Sequence, residues 1–394
     1  PHSARHFYSR HGARWPVPKS PPDTTPRRAR PPRASARDNA RKRGGGNFRL
    51  GNSGRNAHDA AMASGRTDIV EYVKVIRPDH WLKNVFICFG HVVAIALLGL
   101  EIDARLLGMA VFSLVPACLV ASANYIVNEI LDAPFDRMHP TKKLRAVAAG
   151  TVSIPALWVL MVVLSVAAFA LSVVFFNPGY TLALALLLAS GIVYNVPPLR
   201  LKDRAYLDVI SESFNNPIRL WLGWFALVEP PVGAAPLRIL LSVPLSIIMA
   251  WWFFGALLMA GKRYAEYRFI GDAERSGRYR RSFRVYDERK LIISMITYAN
   301  FFCFCMGVAI TVYRPNLLFV FPIIVLAIIV YFHHAMTTEG AKLEPEQLMR
   351  NPALIVCTLA TIAAGLILTW LQVDLAEVFN FLRMLGESPT ANGH

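Results

Sequence analysis

Long apolar runs recur along this chain after residue 80, and they constrain its fold more than any other feature. A helical run of about twenty apolar residues matches the hydrocarbon thickness of a bilayer, and a helix satisfies its backbone hydrogen bonds internally, as the lipid interior requires. Only 17% of the residues are charged, whereas soluble domains carry about a quarter. The sequence therefore predicts an all-α, polytopic membrane protein with about nine transmembrane helices. The runs lie near residues 83–100, 106–127, 154–176, 180–197, 208–228, 237–260, 291–313, 316–335 and 353–373.

The fifth run, residues 208–228, is interrupted by polar side chains that are unusual in a lipid-facing helix. Such residues are costly in the bilayer and usually line a pathway or site inside the protein. Pro217 lacks an N–H group and frees a backbone carbonyl, which is tolerated where a helix lines a cavity. We therefore expect a polar cavity here, and an ion pair between one carboxylate and Arg219 is the plainer alternative. The polar residues are Ser211, Glu212, Asn215, Asn216 and Arg219.

Positive charge is unevenly distributed among the loops, and this asymmetry predicts the orientation of the helices. Loops 136–150, 198–205 and 261–290 are rich in Lys and Arg, whereas the alternate loops contain only Arg105 and Arg314 as clear cations. Lys and Arg are retained on the cytoplasmic side of membrane proteins. We expect the N-terminus, the three basic loops and the mouth of the polar cavity to face the cytoplasm, in the inner (plasma) membrane.

Residues 1–67 differ in composition from the rest of the chain. They contain fifteen Lys and Arg against three acidic residues, and so supply +12 of the net charge of +16. Pro, Arg, Ser and Gly predominate, and a segment of this composition is expected to be a disordered basic tail. We expect a catalytic transmembrane domain at residues 68–376 and a short C-terminal tail at 377–394. Because the membrane domain carries only the remaining charge, no nucleic-acid partner is expected.

Met62 lies just before the first membrane-associated segment. We hypothesise that translation starts near Met62, so that the basic tail is not translated natively. A basic arm that binds anionic lipid or nucleic acid is the alternative. Peptides from residues 1–61 in mass spectra of the native protein would contradict the hypothesis.

The most informative segment is NEILDAPFDRMHPTKKLR, residues 128–145. Asn128, Asp132 and Asp136 recur every four residues, which places them on one face at the end of a helix. Mg²⁺ accepts carboxylate and carbonyl oxygens and commonly completes its shell with water and substrate phosphates, and the cations that follow can bind the same phosphate oxygens. The pattern predicts a metal and diphosphate site, and a solvated helix end with ordinary anchoring cations is the alternative.

Two further segments place charged residues at the same predicted membrane face. Asp208 and Glu212 are four residues apart and share a helix face. Lys262, Arg263 and Glu266 begin the third basic loop, although topology anchoring explains these cations equally well. Paired carboxylate sites for Mg²⁺, together with cations, neutralise a departing diphosphate. The sequence contains no Walker loop, GxGxxG pattern or serine or cysteine nucleophile arrangement, and we expect Mg²⁺-dependent diphosphate chemistry.

These motifs resemble those of the UbiA superfamily of intramembrane prenyltransferases, in which aspartate-rich motifs on the second and fifth of nine helices bind Mg²⁺ and diphosphate. The pattern at 128–136 is similar to the first motif, and Asp208 and Glu212 fall where the second belongs. Other segments are most similar to the decaprenyl-phosphate phosphoribosyltransferase branch, and the resemblance covers roughly residues 70–375. These segments are RPDHWLKN (77–84), DRMHPTKKLRAVAAG (136–150), YNVPPLRLKD (194–203), IRLWLG (218–223) and AGKRYAE (260–266).

The resemblance implies Mg²⁺-dependent transfer of 5-phosphoribose from phosphoribosyl pyrophosphate to a polyprenyl phosphate, such as decaprenyl phosphate. It implies that Asp132, Asp136 and Asp208 are catalytic, that they and Asn128 bind the metal, and that Arg219 meets the lipid phosphate. A phosphate dianion is already nucleophilic, so no strong general base is needed. A homo-oligomer is also compatible with this reading. The residues implied to bind substrates are Lys83, Asn84, Lys142, Lys143, Arg145, Tyr194, Lys202, Glu212, Arg219, Lys262, Arg263 and Glu266.

Three positions depart from the family pattern and leave the substrates open. Glu129 and Ala146 stand where the family favours Asp and Pro, and the polar segment SESFNN at 211–216 replaces smaller, less polar residues. Prenyl transfer from a polyprenyl diphosphate to an aromatic or other acceptor is therefore the alternative reaction. A transporter or channel predicts two repeated halves, and no internal repeat is evident. A lipid-binding regulatory protein would keep its function when Asp132 and Asp136 become asparagine.

Overall fold

The computed structural model describes residues 69–137, 142–271, 276–277, 280–337 and 351–370, and these are helical with no β-strand among them. The predicted tails at 1–67 and 377–394 lie outside the described residues. The α-helices are α1 (Ile69–Ile76), α2 (Ile87–Leu98), α3 (Ala104–Phe112), α4 (Leu114–Asp136), α5 (Ala146–Ala149), α6 (Ile154–Phe175), α7 (Pro178–Asn195), α8 (Leu207–Ser213), α9 (Asn215–Leu227), α10 (Pro236–Leu240), α11 (Leu245–Ile270), α12 (Glu288–Tyr313), α13 (Phe321–Thr337) and α14 (Pro352–Trp370). Short 3₁₀ helices occupy Pro78–Phe86, Lys142–Leu144, Leu201–Asp203, Arg281–Arg284 and Pro315–Val320.

Within the described ranges, seven helical segments are long and apolar enough to cross a bilayer. The chain is therefore a multi-pass integral membrane protein, as the apolar runs predict. A shorter apolar helix, Pro352–Leu368, coincides with the predicted ninth run, so the count of nine stays a prediction. The seven segments are Ile69–Leu98, Ala104–Asp136, Ile154–Phe175, Pro178–Asn195, Leu245–Ile270, Glu288–Tyr313 and Pro315–Thr337.

The predicted fifth span is divided into two helices. Helix α8 ends at Ser213 and α9 begins at Asn215, with Phe214 between them. Pro217 has no N–H group to donate to the carbonyl of Ser213, so the helical ladder is interrupted there. The break places the polar residues of 211–219 at a bend inside the bundle, which is where irregular backbone is tolerated in membrane proteins.

Helix α11 differs from the prediction at both ends. It begins at Leu245 because Pro244 cannot continue a preceding helix, and it extends to Ile270 rather than ending near residue 260. Lys262, Arg263 and Glu266, which the sequence placed at the start of a loop, therefore lie on the last turns of a rigid helix. Arg263 is only 1% exposed, because α11 packs between α8 and α12.

Helices α2 and α9 approach so closely that their backbones touch. A Cβ atom added to Gly90 would lie 2.2 Å from the carbonyl oxygen of Leu220, and one added to Gly223 would lie 2.1 Å from that of Ile87. Small residues at a helix crossing are typical of membrane bundles, where close packing replaces the hydrophobic effect as the source of association. This crossing brings Asn84, just before α2, against Arg219 on α9.

Replacing Gly90 with alanine is expected to lower the free energy of unfolding by about 1–3 kcal/mol, because the clash is with backbone and cannot be relieved by a rotamer change. Gly108, on α3, has no atom within 4 Å of an added Cβ and provides the control. Its replacement with alanine should be neutral or slightly stabilising. Unfolding of both variants in detergent solution tests this, and equal stabilities would contradict the close crossing.

Candidate active site

The first motif lies on the last turns of α4, as the sequence predicts, and its residues meet the loop that follows α7. The ammonium of Lys202 donates to Oδ1 of Asp132 at 2.6 Å, to Oδ1 of Asn128 at 3.1 Å and to Oδ1 of Asn195 at 2.9 Å. Arg200 donates from Nη2 to the same Asp132 oxygen at 3.0 Å. These five residues form the first cluster, which is mostly shielded from solvent.

Asp136 does not join the first cluster but holds the segment that follows α4. Its Oδ2 accepts from Arg145 Nη1 at 2.6 Å, and only 5% of the residue is exposed. Glu129, buried about two turns further into α4, accepts from the backbone N–H of Val147 at 3.3 Å. Both acids therefore fasten the basic 142–150 segment beside the first cluster. Lys142 is half-buried and Lys143 is exposed on this segment.

The second motif forms a separate cluster centred on Asp208, which is completely buried. Its carboxylate accepts from the hydroxyl of Tyr286 at 2.8 Å, from the hydroxyl of Ser282 at 3.1 Å and from Arg263 Nε at 3.2 Å. Arg280 Nε lies 3.4 Å from the same carboxylate. Burial, and next the charge of Asp208, raise the pKa of Tyr286, so its hydroxyl remains a donor. Asp208 thus binds segment 280–286 to α8.

Arg263 links three carboxylates in this second cluster. It donates to Glu212 at 2.6 Å and to Glu266 at 3.0 Å, besides Asp208. Tyr194 donates to Glu212 at 3.0 Å and accepts from Arg280 at 3.0 Å. Lys262, adjacent to Arg263, is half-buried. With Ser282 and Tyr286, these residues complete the second cluster.

A third group of polar residues, the inner cluster, lies between α2, α7 and α9. Arg219 donates to Oδ1 of the buried Asn84 at 3.2 Å and to the carbonyl of Asn215 at 3.4 Å. The Asn215 amide oxygen accepts from Ser190 at 2.7 Å. No carboxylate in the described ranges lies within ion-pair distance of Arg219. The residue therefore does not form the ion pair that was the alternative to a polar cavity. Lys83 is half-buried beside Asn84.

The end of α7 joins the three clusters. Tyr194 belongs to the second cluster and its neighbour Asn195 to the first, while Ser190, one turn earlier, belongs to the inner cluster. Asp203 extends the connection, since it pairs with Arg200 at 3.1 Å and lies 3.7 Å from Arg281. The end of α7 therefore connects Asn128 and Asp132 of the first motif with the predicted polar residues of α8 and α9.

Six residues of these clusters were not predicted from the sequence: Ser190, Asn195, Arg200, Arg280, Ser282 and Tyr286. Asn195 and Arg200 lie within the YNVPPLRLKD segment, and the family resemblance of that segment could have identified them. Arg280 is one of ten cations between residues 262 and 290, and nothing in the sequence distinguishes it from the others.

Residues 85–357 match the UbiA prenyltransferase family. The chain belongs to this family. Among curated UbiA relatives, a decaprenyl-phosphate phosphoribosyltransferase from Mycobacterium tuberculosis is 34% identical over 52% of this chain and 62% of its own length. A protein of the same name from Mycolicibacterium smegmatis is 31% identical over 60% of this chain and 68% of its own length. The match to the first of these spans less than two thirds of that relative.

The fold of the UbiA family is also found among solved structures. A UbiA homolog from Archaeoglobus fulgidus, bound to DMAPP and Mg²⁺, aligns with a TM-score of 0.56 at 16% identity, covering 76% of this chain and 99% of that one. At this identity the likeness shows the fold, and it confirms the predicted all-α UbiA-like membrane bundle.

The residues of the first cluster fit the divalent metal that the UbiA family implies. No group of three or more His, Cys, Asp or Glu side chains in the described part of the chain converges at metal distance. One carboxylate oxygen and two amide oxygens, from Asp132, Asn128 and Asn195, do converge on the Lys202 ammonium. This oxygen set is one that hard cations accept, although Mg²⁺ needs ligand distances of about 2.0–2.1 Å. Both carboxylate oxygens of Asp208, by contrast, accept hydrogen bonds from protein donors in this conformation.

Proposed function

We propose that this protein transfers 5-phosphoribose from phosphoribosyl pyrophosphate to a polyprenyl phosphate such as decaprenyl phosphate, with release of diphosphate. The observation that carries the proposal is Arg219, a cation among the packed helices whose contacts in the described chain are all to uncharged groups. A cation held this way in a membrane protein is stabilised by an anionic ligand. A wholly apolar prenyl chain in the same place would leave it uncompensated. The names of the curated relatives support the same reaction.

Each of the three clusters would bind a different part of the substrates. Asn128, Asp132 and Asn195 would hold Mg²⁺, and the diphosphate would be bound by Arg200 and Lys202 of the same cluster and by Arg145, which Asp136 holds. The chemistry that Mg²⁺ supplies when bound is neutralisation of charge on the departing diphosphate. The second cluster offers Glu212 and Tyr194 as hydrogen-bonding groups for ribose hydroxyls.

Arg219 receives the phosphate of the lipid. A lipid phosphate oxygen then bonds to the anomeric carbon as the bond from that carbon to diphosphate breaks, and diphosphate leaves with the electron pair. Charge is neutralised at both ends, by Arg219 on the incoming phosphate and by Arg200 and Lys202 on the leaving group. Because phosphoribosyl pyrophosphate is water-soluble, we place the site and the N-terminus on the cytoplasmic side of the plasma membrane, in agreement with the basic loops.

Replacing Arg219 with glutamine is expected to raise the KM for the lipid phosphate by about tenfold or more, since one charge-assisted contact is lost. The KM for phosphoribosyl pyrophosphate should change little. Arg105, exposed at the start of the Ala104–Asp136 span and therefore at the other end of that span from Asp132, is the matched control, and Arg105→Gln should leave both values unchanged. Steady-state kinetics with each substrate varied in turn distinguishes these outcomes.

Competition identifies the donor independently of Arg219. Unlabelled phosphoribosyl pyrophosphate should suppress the incorporation of label from ribose-labelled phosphoribosyl pyrophosphate into the lipid, and a polyprenyl diphosphate should not serve as a donor to an aromatic acceptor. Transfer of the prenyl group with no incorporation of ribose would favour the alternative prenyltransferase reaction.

A further inference from the structure

The Lys202 side chain has the surroundings of a bound cation. Its three ammonium protons have three oxygen partners, from Asp132, Asn128 and Asn195, and the residue is 9% exposed. These are the oxygens that fit the metal of this family. The lysine therefore stands where the metal would meet its protein ligands.

A second cation, Arg200, also contacts the Asp132 carboxylate. Arg200 Nη2 lies 3.0 Å from the oxygen that Lys202 contacts at 2.6 Å, so that one carboxylate oxygen serves two positive groups. A divalent metal that approaches Asp132 therefore meets two like charges at close range, and like charges placed together are strongly unfavourable. Mg²⁺ cannot coordinate this oxygen set until at least Lys202 withdraws.

We propose that Lys202 holds the cation position of the first cluster until a diphosphate arrives, and that Lys202 and Arg200 then exchange Asp132 for the diphosphate oxygens. Metal and diphosphate consequently bind together rather than one after the other. Lys202 acts as a positioning residue that makes metal binding depend on the substrate. The inference rests on the proposed function only in requiring that the site accepts a diphosphate.

The backbone of the segment that carries Lys202 agrees with such an exchange. Arg200 has a φ of 32° and Tyr206 a φ of 66°, so two residues with side chains adopt a positive φ on either side of Lys202. Conformations of this kind are retained when surrounding contacts hold them, and they concentrate in switch regions and ligand clamps. Arg200 is held by its contacts to Asp132 and Asp203, and the N–H of Tyr206 by the hydroxyl of Tyr286. Release of the Asp132 contact lets the Arg200 guanidinium turn toward another anion, while its pair with Asp203 and the contact of Tyr206 keep both ends of the segment anchored.

Binding of Mn²⁺ to the purified protein tests this exchange. It is measured as the decrease in the electron paramagnetic resonance signal of free Mn²⁺. The unmodified protein should bind Mn²⁺ weakly alone and about tenfold or more tightly with inorganic pyrophosphate, after correction for Mn²⁺ bound by pyrophosphate in protein-free buffer. Lys202→Met should bind Mn²⁺ alone about tenfold more tightly than the unmodified protein, and pyrophosphate should then add little. Lys290→Met, which removes an exposed lysine on α12, should match the unmodified protein.

If Lys202 only stabilises the fold, a different result is expected. Lys202→Met would then lower the melting temperature and leave Mn²⁺ affinity equal or weaker, which would overturn the proposal. If that variant does not fold, Arg200→Gln removes the other cation and should raise Mn²⁺ affinity in the same direction. Unchanged affinity in Arg200→Gln would then count against the exchange. Because pyrophosphate is common to phosphoribosyl and prenyl donors, this measurement can fail or succeed independently of which donor the protein uses.

Discussion

Asp208→Ala is expected to lower the free energy of unfolding by about 3–5 kcal/mol, because it leaves buried donors without their acceptor. Asp208 is completely buried and receives hydrogen bonds from Arg263, Ser282 and Tyr286. Arg280 loses its nearby carboxylate in the same variant. Denaturant or thermal unfolding in detergent measures the loss. Asp208→Asn should be less severe, since its amide oxygen can still accept from Tyr286.

The damage should be concentrated in segment 280–286, which Asp208 binds to α8. Trypsin should therefore cut after Arg280, Arg281 or Arg284 faster in Asp208→Ala than in the unmodified protein under native conditions. Glu71→Gln disturbs an ion pair with the largely exposed Lys74 and is the control, with an expected change within about 1 kcal/mol. Equal stability of Asp208→Ala and the control would show that the second cluster does not hold this segment.

Asp132→Asn is expected to lower kcat/KM by about a hundredfold or more, because it removes the one charged oxygen of the first cluster's cation position. The fold should survive, since the asparagine oxygen can still accept from Lys202. Activity assays together with unfolding curves separate the two effects. Glu101→Gln, at an exposed position just before the Ala104–Asp136 span and so at the other end of that span from Asp132, should retain full activity. Full activity in Asp132→Asn would show that catalysis does not need this carboxylate and would contradict the first cluster as the metal site.

Part of this arrangement follows directly from local sequence. Apolar runs of membrane length predict the long helices because a bilayer admits few alternatives, and a four-residue spacing places Asn128 and Asp132 together because of the helical repeat. Pro217 likewise marks the break between α8 and α9. These features depend on residues that are near one another in the chain.

The partners of these residues depend on tertiary packing and could not be read in the same way. Lys202 is 70 residues from Asp132, and the two meet only because α7 packs beside α4. Arg263 resembles an ordinary anchoring cation in the sequence, yet the position of α11 buries it among three carboxylates. Asp208 carries the spacing of a metal-binding motif, while its environment makes it the centre of a hydrogen-bonded network. Its assignment as a metal ligand stays a prediction.

The most direct test of the account is product formation by the purified protein with Mg²⁺, ribose-labelled phosphoribosyl pyrophosphate and decaprenyl phosphate. The account predicts a labelled lipid product that depends on both substrates, requires Mg²⁺ and is nearly absent with Asp132→Asn. Failure of the folded protein to label any of several polyprenyl phosphates, while it transfers a prenyl group from a polyprenyl diphosphate, would contradict phosphoribosyl transfer.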